Sequence, residues 1–397
     1  MNEISPRTAN LSASKLSAEG SDSLSEFLAG AVERGDIPGV VALVLDRNGE
    51  LYEGAFGKLD AAHRVDMPGN AIFRIASMTK PITSVAAMML MEAGKLGLAD
   101  PVSNYLPRFD KPLAISRFNA ADGTYDTRPA RRAITIRHLM SHTSGIGYGF
   151  ASPTLFQLMQ GTQKTEEDLP LLHDPGARWT YGASTRVLGK VVEALSGQTI
   201  DVFLRERVFE PLEMRDTSYA VPAEKLGRVV TVHRRADGVL VEEPNTAEQQ
   251  SVVRGDGGLY STAQDYGIFL RMLLNAGSLG KSRLLDEKSV RMMGRNQIGR
   301  LVVEEQPVGD PARTRPFPLG AGRDKFGLGF QIASRDEAVA GVRSPGSLSW
   351  GGINNTHFWV DPKRGIAAVI MMQVLPFYDD ACIRVLRGFE QLVYRHL

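Results

Sequence analysis

The sequence has few of the features that point to a disulfide-bonded, membrane-bound or nucleic-acid-binding protein. Its 397 residues include one cysteine, Cys382, which excludes an internal disulfide and a thiolate metal cluster. The 46 Lys and Arg residues balance 45 Asp and Glu residues, and the net charge of +1 favours neither nucleic acid nor an anionic membrane as a partner. No window approaches the roughly 18 consecutive apolar residues of a membrane span, and residues 1–20 lack the apolar core of a signal peptide. We therefore expect a cytoplasmic globular protein without a membrane span.

Two common hydrolase signatures are also missing. The chain has seven histidines, but it has no Gly-x-Ser-x-Gly elbow that would present a serine to one of them. No two histidines share a predicted helix face with a carboxylate, as a zinc site would require. The sequence therefore supports neither a Ser-His-Asp hydrolase nor a zinc hydrolase, and we expect no metal and no organic cofactor.

The strongest candidate for chemistry lies in residues 73–90. Ser77 and Lys80 are three residues apart in a predicted helix, which places both side chains on one face, one turn apart. The helix start offers free backbone N–H groups and the positive dipole end to a developing anion. The lysine amine can accept the serine proton only when it is neutral, and its apolar neighbours predict a buried site that lowers its pKa. An N-cap serine followed by a solvated lysine would show the same spacing.

Strand signals concentrate at the two ends of the chain, and helix signals lie between them. Strands are predicted at 40–45, 51–57, 326–332, 347–350, 356–360 and 366–372. Helices are predicted at 136–140, 154–160, 165–172, 184–196 and 200–208. We therefore predict an α+β fold, in which helices flank an antiparallel sheet and an all-helical domain is inserted.

This layout also predicts the domain organisation. Residues 1–76 and 251–397 would form the sheet domain, residues 77–250 the mostly helical domain, and the active site would lie in the cleft between them. Long loops are predicted at 115–132 and 219–250, and 302–325 is predicted to be a surface insertion that could form a flap over the cleft. We expect loops 110–132 and 300–325 to shape the pocket.

Tyr181 is a second candidate for the chemistry. It lies at a turn just before the predicted helix 184–196. A phenol near a lysine ammonium has its pKa lowered, so Tyr181 could act as a general base or relay a proton. A tyrosine that simply packs beneath a helix start is the plainer alternative.

Paired glycines at a strand end form the third candidate. Gly351 and Gly352 follow Trp350, and they would let the backbone approach a substrate and direct the N–H of Ile353 toward it. Together with the N–H of Ser77, this group could complete an oxyanion hole. A simple β-bulge is the alternative.

As a set, these segments resemble the serine β-lactamase and penicillin-binding-protein superfamily on its class C side, and more closely the family VIII carboxylesterases. The motifs that carry the resemblance agree in order and separation: Ser77-Met78-Thr79-Lys80, His138 to Gly145, Tyr181 after Pro175-Gly176, Gly257 to Thr262, and Trp350-Gly351-Gly352. The resemblance spans roughly residues 20–395. It implies a serine β-lactamase-like fold with Ser77 as the nucleophile, and it places His142 in a structural loop at the cleft floor.

The departures from the family's pattern concern the substrate. The lactamases carry Tyr-x-Asn, whereas Tyr181-Gly182-Ala183 has no amide to hold a lactam side chain. Their Lys-Thr-Gly motif supplies a cation for the β-lactam carboxylate, and here Trp350 takes the place of that lysine, as in the family VIII esterases. The resemblance therefore implies an uncharged ester, in a pocket formed by Trp350, Gly351 and Gly352, although a purely structural role for Trp350 is an alternative.

We accordingly expect a serine carboxylesterase that hydrolyses small-molecule esters of short to medium chain length through a Ser77 acyl-enzyme. Lys80 and Tyr181 would share the general base and acid steps, and the motif does not decide which group serves in each. The N–H groups of Ser77 and Ile353 would stabilise the oxyanion by on the order of 3 kcal/mol per donor. Acyl transfer to an alcohol, hydrolysis of β-lactams or D-amino-acid peptides, and a non-catalytic binding domain that keeps the pocket are the alternatives.

Overall fold

The structure is a computed structural model that describes residues 16–60, 65–244, 252–334 and 342–397. Its strands are β1 (Gly39–Asp46), β2 (Glu50–Asp60), β3 (Val65–Asp66), β4 (Phe73–Arg74), β5 (Leu113–Phe118), β6 (Tyr125–Pro129), β7 (His233–Ala236), β8 (Val239–Glu242), β9 (Tyr260–Ser261), β10 (Ser278–Leu279), β11 (Ser282–Arg283), β12 (Lys325–Phe326), β13 (Gln331–Ile332), β14 (Leu348–Gly352), β15 (Thr356–Asp361), β16 (Ile366–Met371) and β17 (Val374–Leu375). Its α-helices are α1 (Ala18–Glu33), α2 (Thr79–Glu92), α3 (Ile136–Met140), α4 (Pro153–Met159), α5 (Ser184–Ser196), α6 (Ile200–Leu204), α7 (Glu210–Leu212), α8 (Ala263–Leu274), α9 (Glu287–Met293) and α10 (Asp380–His396). Short 3₁₀ turns lie at Ala76–Met78, Val102–Asn104, Pro107–Phe109, Gly149–Ala151, Glu166–Asp168 and Ala223–Arg228, and a π-helical turn at Arg205–Phe209 follows α6.

An antiparallel sheet of eight strands, drawn from both ends of the chain, forms the centre of the molecule. Its strand order is β12-β13-β14-β15-β16-β1-β2-β3. Every residue of β1 and β16 is buried, since these neighbouring strands are covered on both faces. Strands of this kind read as continuous apolar runs, which is why the sequence located both of them.

Helices cover both faces of this sheet. On one face α1 and α10 pack against each other, and their apolar sides form a core with Val40, Val44 and Trp359. On the other face α8 packs on β1 and β16. The predicted α+β architecture is thus confirmed. None of the helices in the described part of the chain has the length and apolar character that crossing a membrane demands.

Helices are the commonest regular elements of the chain between β4 and β9, but this stretch also contains two hairpins that were not predicted. Residues 115–132, predicted to be a loop, contain most of the hairpin formed by β5 and β6. Residues 219–250, also predicted to be a loop, contain the hairpin of β7 and β8, and residues 245–250 lie outside the described residues. The predicted helices at 136–140 and 184–196 are confirmed as α3 and α5, whereas 165–172 contains only the turn Glu166–Asp168. The division into domains after residues 76 and 250 stays a prediction.

The segment 302–325 is packed onto the protein, so its description as a surface insertion is wrong in part. The Gln306 N–H donates to the Phe317 carbonyl over 2.6 Å, which closes the segment on itself. The Gly309 and Asp310 N–H groups donate to the Phe150 carbonyl over 2.8 and 3.1 Å. Because Phe317 is buried, the segment is anchored against the helical part of the chain.

Candidate active site

Ser77 lies on the 3₁₀ turn Ala76–Met78, which leads directly into α2. Ala76, just before it, has a φ of +42°, a left-handed conformation that residues other than glycine rarely adopt. Gly352 lets β14 lie against this turn, because a Cβ at that position would be 2.4 Å from the Ile75 carbonyl oxygen. The turn holds the Ser77 side chain half-buried at the wall of a cavity.

Lys80 is buried one turn after Ser77, as the spacing predicted. Its Nζ donates to Ser77 Oγ over 3.0 Å and to the Asp256 carbonyl oxygen over 2.8 Å. The same nitrogen lies 5.1 Å from the centre of the Tyr148 ring and 4.9 Å from that of Tyr181. The amine is therefore enclosed by two aromatic rings and aimed at the serine.

This enclosure lowers the pKa of Lys80. Burial is the largest cause, and it brings the pKa from 10.5 to about 7. The negative charge of Asp256 opposes this decrease, whereas the positive charges of Arg186 and Arg254 add to it. An amine with a pKa near neutrality can exchange a proton with the serine under physiological conditions.

Tyr181 is the second side chain, after Lys80, that bonds to the Ser77 hydroxyl oxygen. Its hydroxyl donates to Ser77 Oγ over 2.7 Å, and its backbone N–H donates to Gln306 Oε1 over 3.0 Å. Burial raises the pKa of Tyr181 above its ordinary value, and this outweighs the lowering by hydrogen bonds. The expectation that a neighbouring ammonium would lower this pKa is therefore wrong in direction.

A buried ion cluster adjoins Lys80 and was not predicted. The Asp256 carboxylate accepts a hydrogen bond from the Tyr148 hydroxyl, and it lies 3.1 Å from an Arg186 guanidinium nitrogen. Burial alone would raise the pKa of Asp256. The positive charges of Lys80, Arg186 and Arg254 outweigh this effect and hold the pKa below its ordinary value. Asp256 occurs in a glycine-rich stretch, 70 residues from Arg186, and no local sequence pattern links the two.

Trp350 packs against Tyr181, in a group of aromatic rings next to the site. Its ring packs among those of His142, Trp179, Tyr181 and Phe326, at centroid distances of 5.0 to 6.3 Å. The indole N–H is close enough to the Tyr181 hydroxyl to lower that pKa, but it makes no hydrogen bond of ordinary geometry within the described residues. His142, predicted to be structural, is buried, and burial holds its pKa well below 6.5.

Two cavities lie near these residues. The larger, about 500 Å³, is lined by Trp350, Gly351 and Phe317 among others, but it does not reach Ser77. The smaller, about 130 Å³, is lined by Ser77 and Ile353, so the structure brings both predicted oxyanion residues to one space. Size does not decide between the cavities, because only the smaller one contains the candidate nucleophile. Within the described residues, no group of three or more His, Cys, Asp or Glu side chains could hold a metal ion.

Comparisons with known proteins identify the family and the fold of this chain. The family model described as Beta-lactamase matches residues 24–391. Monacolin J acid methylbutanoyltransferase of Aspergillus terreus is 31% identical, over 92% of this chain and 93% of that protein. Esterase EstB of Burkholderia gladioli is 30% identical, over 93% of each chain. The solved structure of simvastatin synthase from Aspergillus terreus has a TM-score of 0.82 and 29% identity, and covers 95% of this chain and 98% of that one. The predicted resemblance and the β-lactamase-like fold are confirmed.

Proposed function

Because this chain belongs to the beta-lactamase family of serine hydrolases and acyltransferases, we propose that it hydrolyses esters of short to medium chain length through an acyl-enzyme at Ser77. The protein is an enzyme of the ester hydrolase type, as the named esterases among its relatives indicate. The proposal concerns the substrate and the part that each side chain takes.

One observation carries the proposal. Ser77 Oγ lies 3.0 Å from Lys80 Nζ and 2.7 Å from the Tyr181 hydroxyl. The lysine has a pKa of about 7, and the tyrosine has a raised pKa. A base close to neutrality and a phenol that keeps its proton support Lys80 as the base toward Ser77 and Tyr181 as the acid toward the leaving group.

The steps balance with these three residues and water. Neutral Lys80 takes the Ser77 proton as Oγ bonds to the ester carbonyl carbon, and the N–H groups of Ser77 and Ile353 stabilise the oxyanion. The bond to the alkoxide then breaks, the alkoxide takes the Tyr181 proton, and the Lys80 ammonium restores that proton to Tyr181. A water molecule then attacks the acyl carbonyl carbon as neutral Lys80 takes its proton. The bond to Ser77 Oγ breaks, Oγ takes the Tyr181 proton, and the Lys80 ammonium restores that proton to Tyr181. The carboxylic acid leaves, and Ser77 is free again.

Rapid quenching during turnover of para-nitrophenyl butyrate tests this proposal. We expect mass spectrometry to find a butyryl group on the peptide that contains Ser77, because the acyl-enzyme is an obligatory intermediate. Ser84→Ala is the control, since Ser84 lies in α2, the helix that follows the turn with Ser77, and its buried hydroxyl has no hydrogen-bond partner among the described residues. That variant should acylate like the wild type. Turnover without an adduct at Ser77, or with an adduct elsewhere, would refute the proposal.

Acyl transfer is the second candidate, because relatives with 29 to 31% identity are named methylbutanoyltransferases. The same acyl-enzyme would then pass its acyl group to an alcohol instead of water. Product analysis with a competing alcohol separates the two: an esterase releases mostly acid, and a transferase mostly the new ester. Nitrocefin in parallel measures β-lactam hydrolysis, and labelling of Ser77 by a fluorophosphonate excludes a non-catalytic binding domain.

The pH profile is a further expected result. For a neutral ester, kcat/KM should rise with pH through about 7, because the neutral form of Lys80 is the active one and its pKa is about 7. No decrease from Tyr181 ionisation is expected near pH 10, since burial raises that pKa above its ordinary value. Initial rates at subsaturating ester from about pH 5 to about pH 10 measure this. A flat profile across pH 7 would show that another group is the base.

A further inference from the structure

The cavity that contains Ser77 has one positive charge in excess. Five charged side chains line it, three arginines and two carboxylates: Arg186, Arg254, Arg313, Glu166 and Asp256. Each carboxylate neutralises one arginine. The position of the remaining cation therefore bears on which substrates the cavity favours.

The ion pairs identify Arg313 as the surplus cation. Arg186 contacts Glu166 at 2.9 Å and Asp256 at 3.1 Å, and Arg254 lies 3.5 Å from Asp256. Arg313 has no carboxylate within ion-pair distance among the residues that the structure describes, and its side chain is accessible at the cavity wall.

Arg313 is nevertheless held in place. Its guanidinium carbon lies 5.3 Å from the centre of the Phe150 ring, and that ring stacks on Tyr148 at 4.9 Å. The backbone N–H of Arg313 donates to the Asp310 carbonyl, and the Arg313 carbonyl accepts a hydrogen bond from the backbone N–H of Phe377. The backbone is therefore held on both sides of this residue. A cation that is positioned but unpaired, in the same cavity as the nucleophile, is suited to bind an anion.

We propose that Arg313 binds a carboxylate carried by the ester substrate. The inference rests on the proposed function, and it differs from the uncharged substrate expected from Trp350, because Arg313 lines the cavity that contains Ser77 and Trp350 does not. The cavity, about 130 Å³, is smaller than the roughly 300 to 1,000 Å³ of pockets for drug-sized ligands. A carboxylate bound in this cavity at the same time as an ester at Ser77 would lie within a few bonds of the ester carbonyl, on either the acyl or the alcohol side.

Two matched substrate pairs test the proposal. For the acyl side, mono-para-nitrophenyl succinate is compared with its methyl ester. For the alcohol side, para-acetoxybenzoate is compared with its methyl ester. We expect the wild type to favour the anion in one pair, and Arg313→Gln to lower kcat/KM for that anion about tenfold, the effect of one lost charged hydrogen bond. The neutral ester should change less than about twofold, and Arg313→Lys should restore part of the preference.

The control is Arg315→Gln, an exposed arginine two residues away that bonds the Pro311 carbonyl and does not line the cavity. The Arg315→Gln variant should have the wild-type kcat/KM for the anionic and for the neutral ester. The inference is overturned if the wild type favours the neutral ester in both pairs. It is also overturned if Arg313→Gln lowers kcat/KM equally for the anionic and the neutral ester of a pair. If neither neutral ester is hydrolysed through Ser77, the proposed function fails instead, so the two failures can be told apart.

Discussion

Replacing Ser77 by alanine is expected to lower kcat/KM for a neutral ester by on the order of 10⁵-fold, because the variant has no atom to form the acyl bond. Ser77 Oγ is the oxygen to which both Lys80 Nζ and the Tyr181 hydroxyl are hydrogen-bonded. Removing it should cost little stability, since Ser77 is half-buried and Lys80 keeps its bond to the Asp256 carbonyl. Initial rates of para-nitrophenyl butyrate hydrolysis and a thermal melt measure both quantities.

The matched control is again Ser84→Ala. Ser84 is more buried than Ser77, so this variant tests whether loss of a serine hydroxyl in this part of the chain is harmful in itself. We expect its rate to equal that of the wild type. If Ser77→Ala kept a tenth of the wild-type rate while folded, Ser77 would not be the nucleophile. The steps assigned to Lys80 and Tyr181 would then also be wrong.

The pairing of Ser77 with Lys80 could be predicted because it is local. Two residues three apart on one helix must lie on one face, whatever the rest of the chain does. Tyr181 is different: 104 residues separate it from Ser77, and physical reasoning gave only a candidate. The family resemblance linked the two, and the match over residues 24–391 confirms that resemblance.

Other features of the fold and site depend on contacts that sequence patterns do not record. The hairpin of β5 and β6 is largely exposed, and its apolar residues do not alternate with polar ones in the pattern by which strands are found. The pKa of Tyr181 was predicted in the wrong direction because burial outweighs its polar contacts, and burial is fixed by the whole fold. The cluster around Asp256 joins residues from segments far apart in the chain.

The cluster leads to the second large expected effect. Asp256→Asn removes a buried negative charge from between Arg186 and Arg254, and breaking a buried ion pair in this way costs about 3 kcal/mol of unfolding free energy. The change also acts on Lys80, because the Asp256 charge raises that pKa against the effect of burial. Without it the pKa of Lys80 falls, and the rise of kcat/KM with pH should move to lower pH. Urea unfolding and a pH profile measure the two effects.

Glu166→Gln is the graded control for this pair of effects. Glu166 also contacts Arg186, but its influence on the pKa of Lys80 is the smallest of the five causes, with Asp256 the larger of the two negative charges. The pH profile of the Glu166→Gln variant should therefore also move to lower pH, but by less than that of Asp256→Asn. A structural role alone would destabilise Asp256→Asn and leave the profile in place, whereas a shift to higher pH would mean that the active form of Lys80 is not the neutral one. Only loss of stability together with a shift to lower pH supports the Asp256 carboxylate both as a partner of the arginines and as the charge that raises the pKa of Lys80.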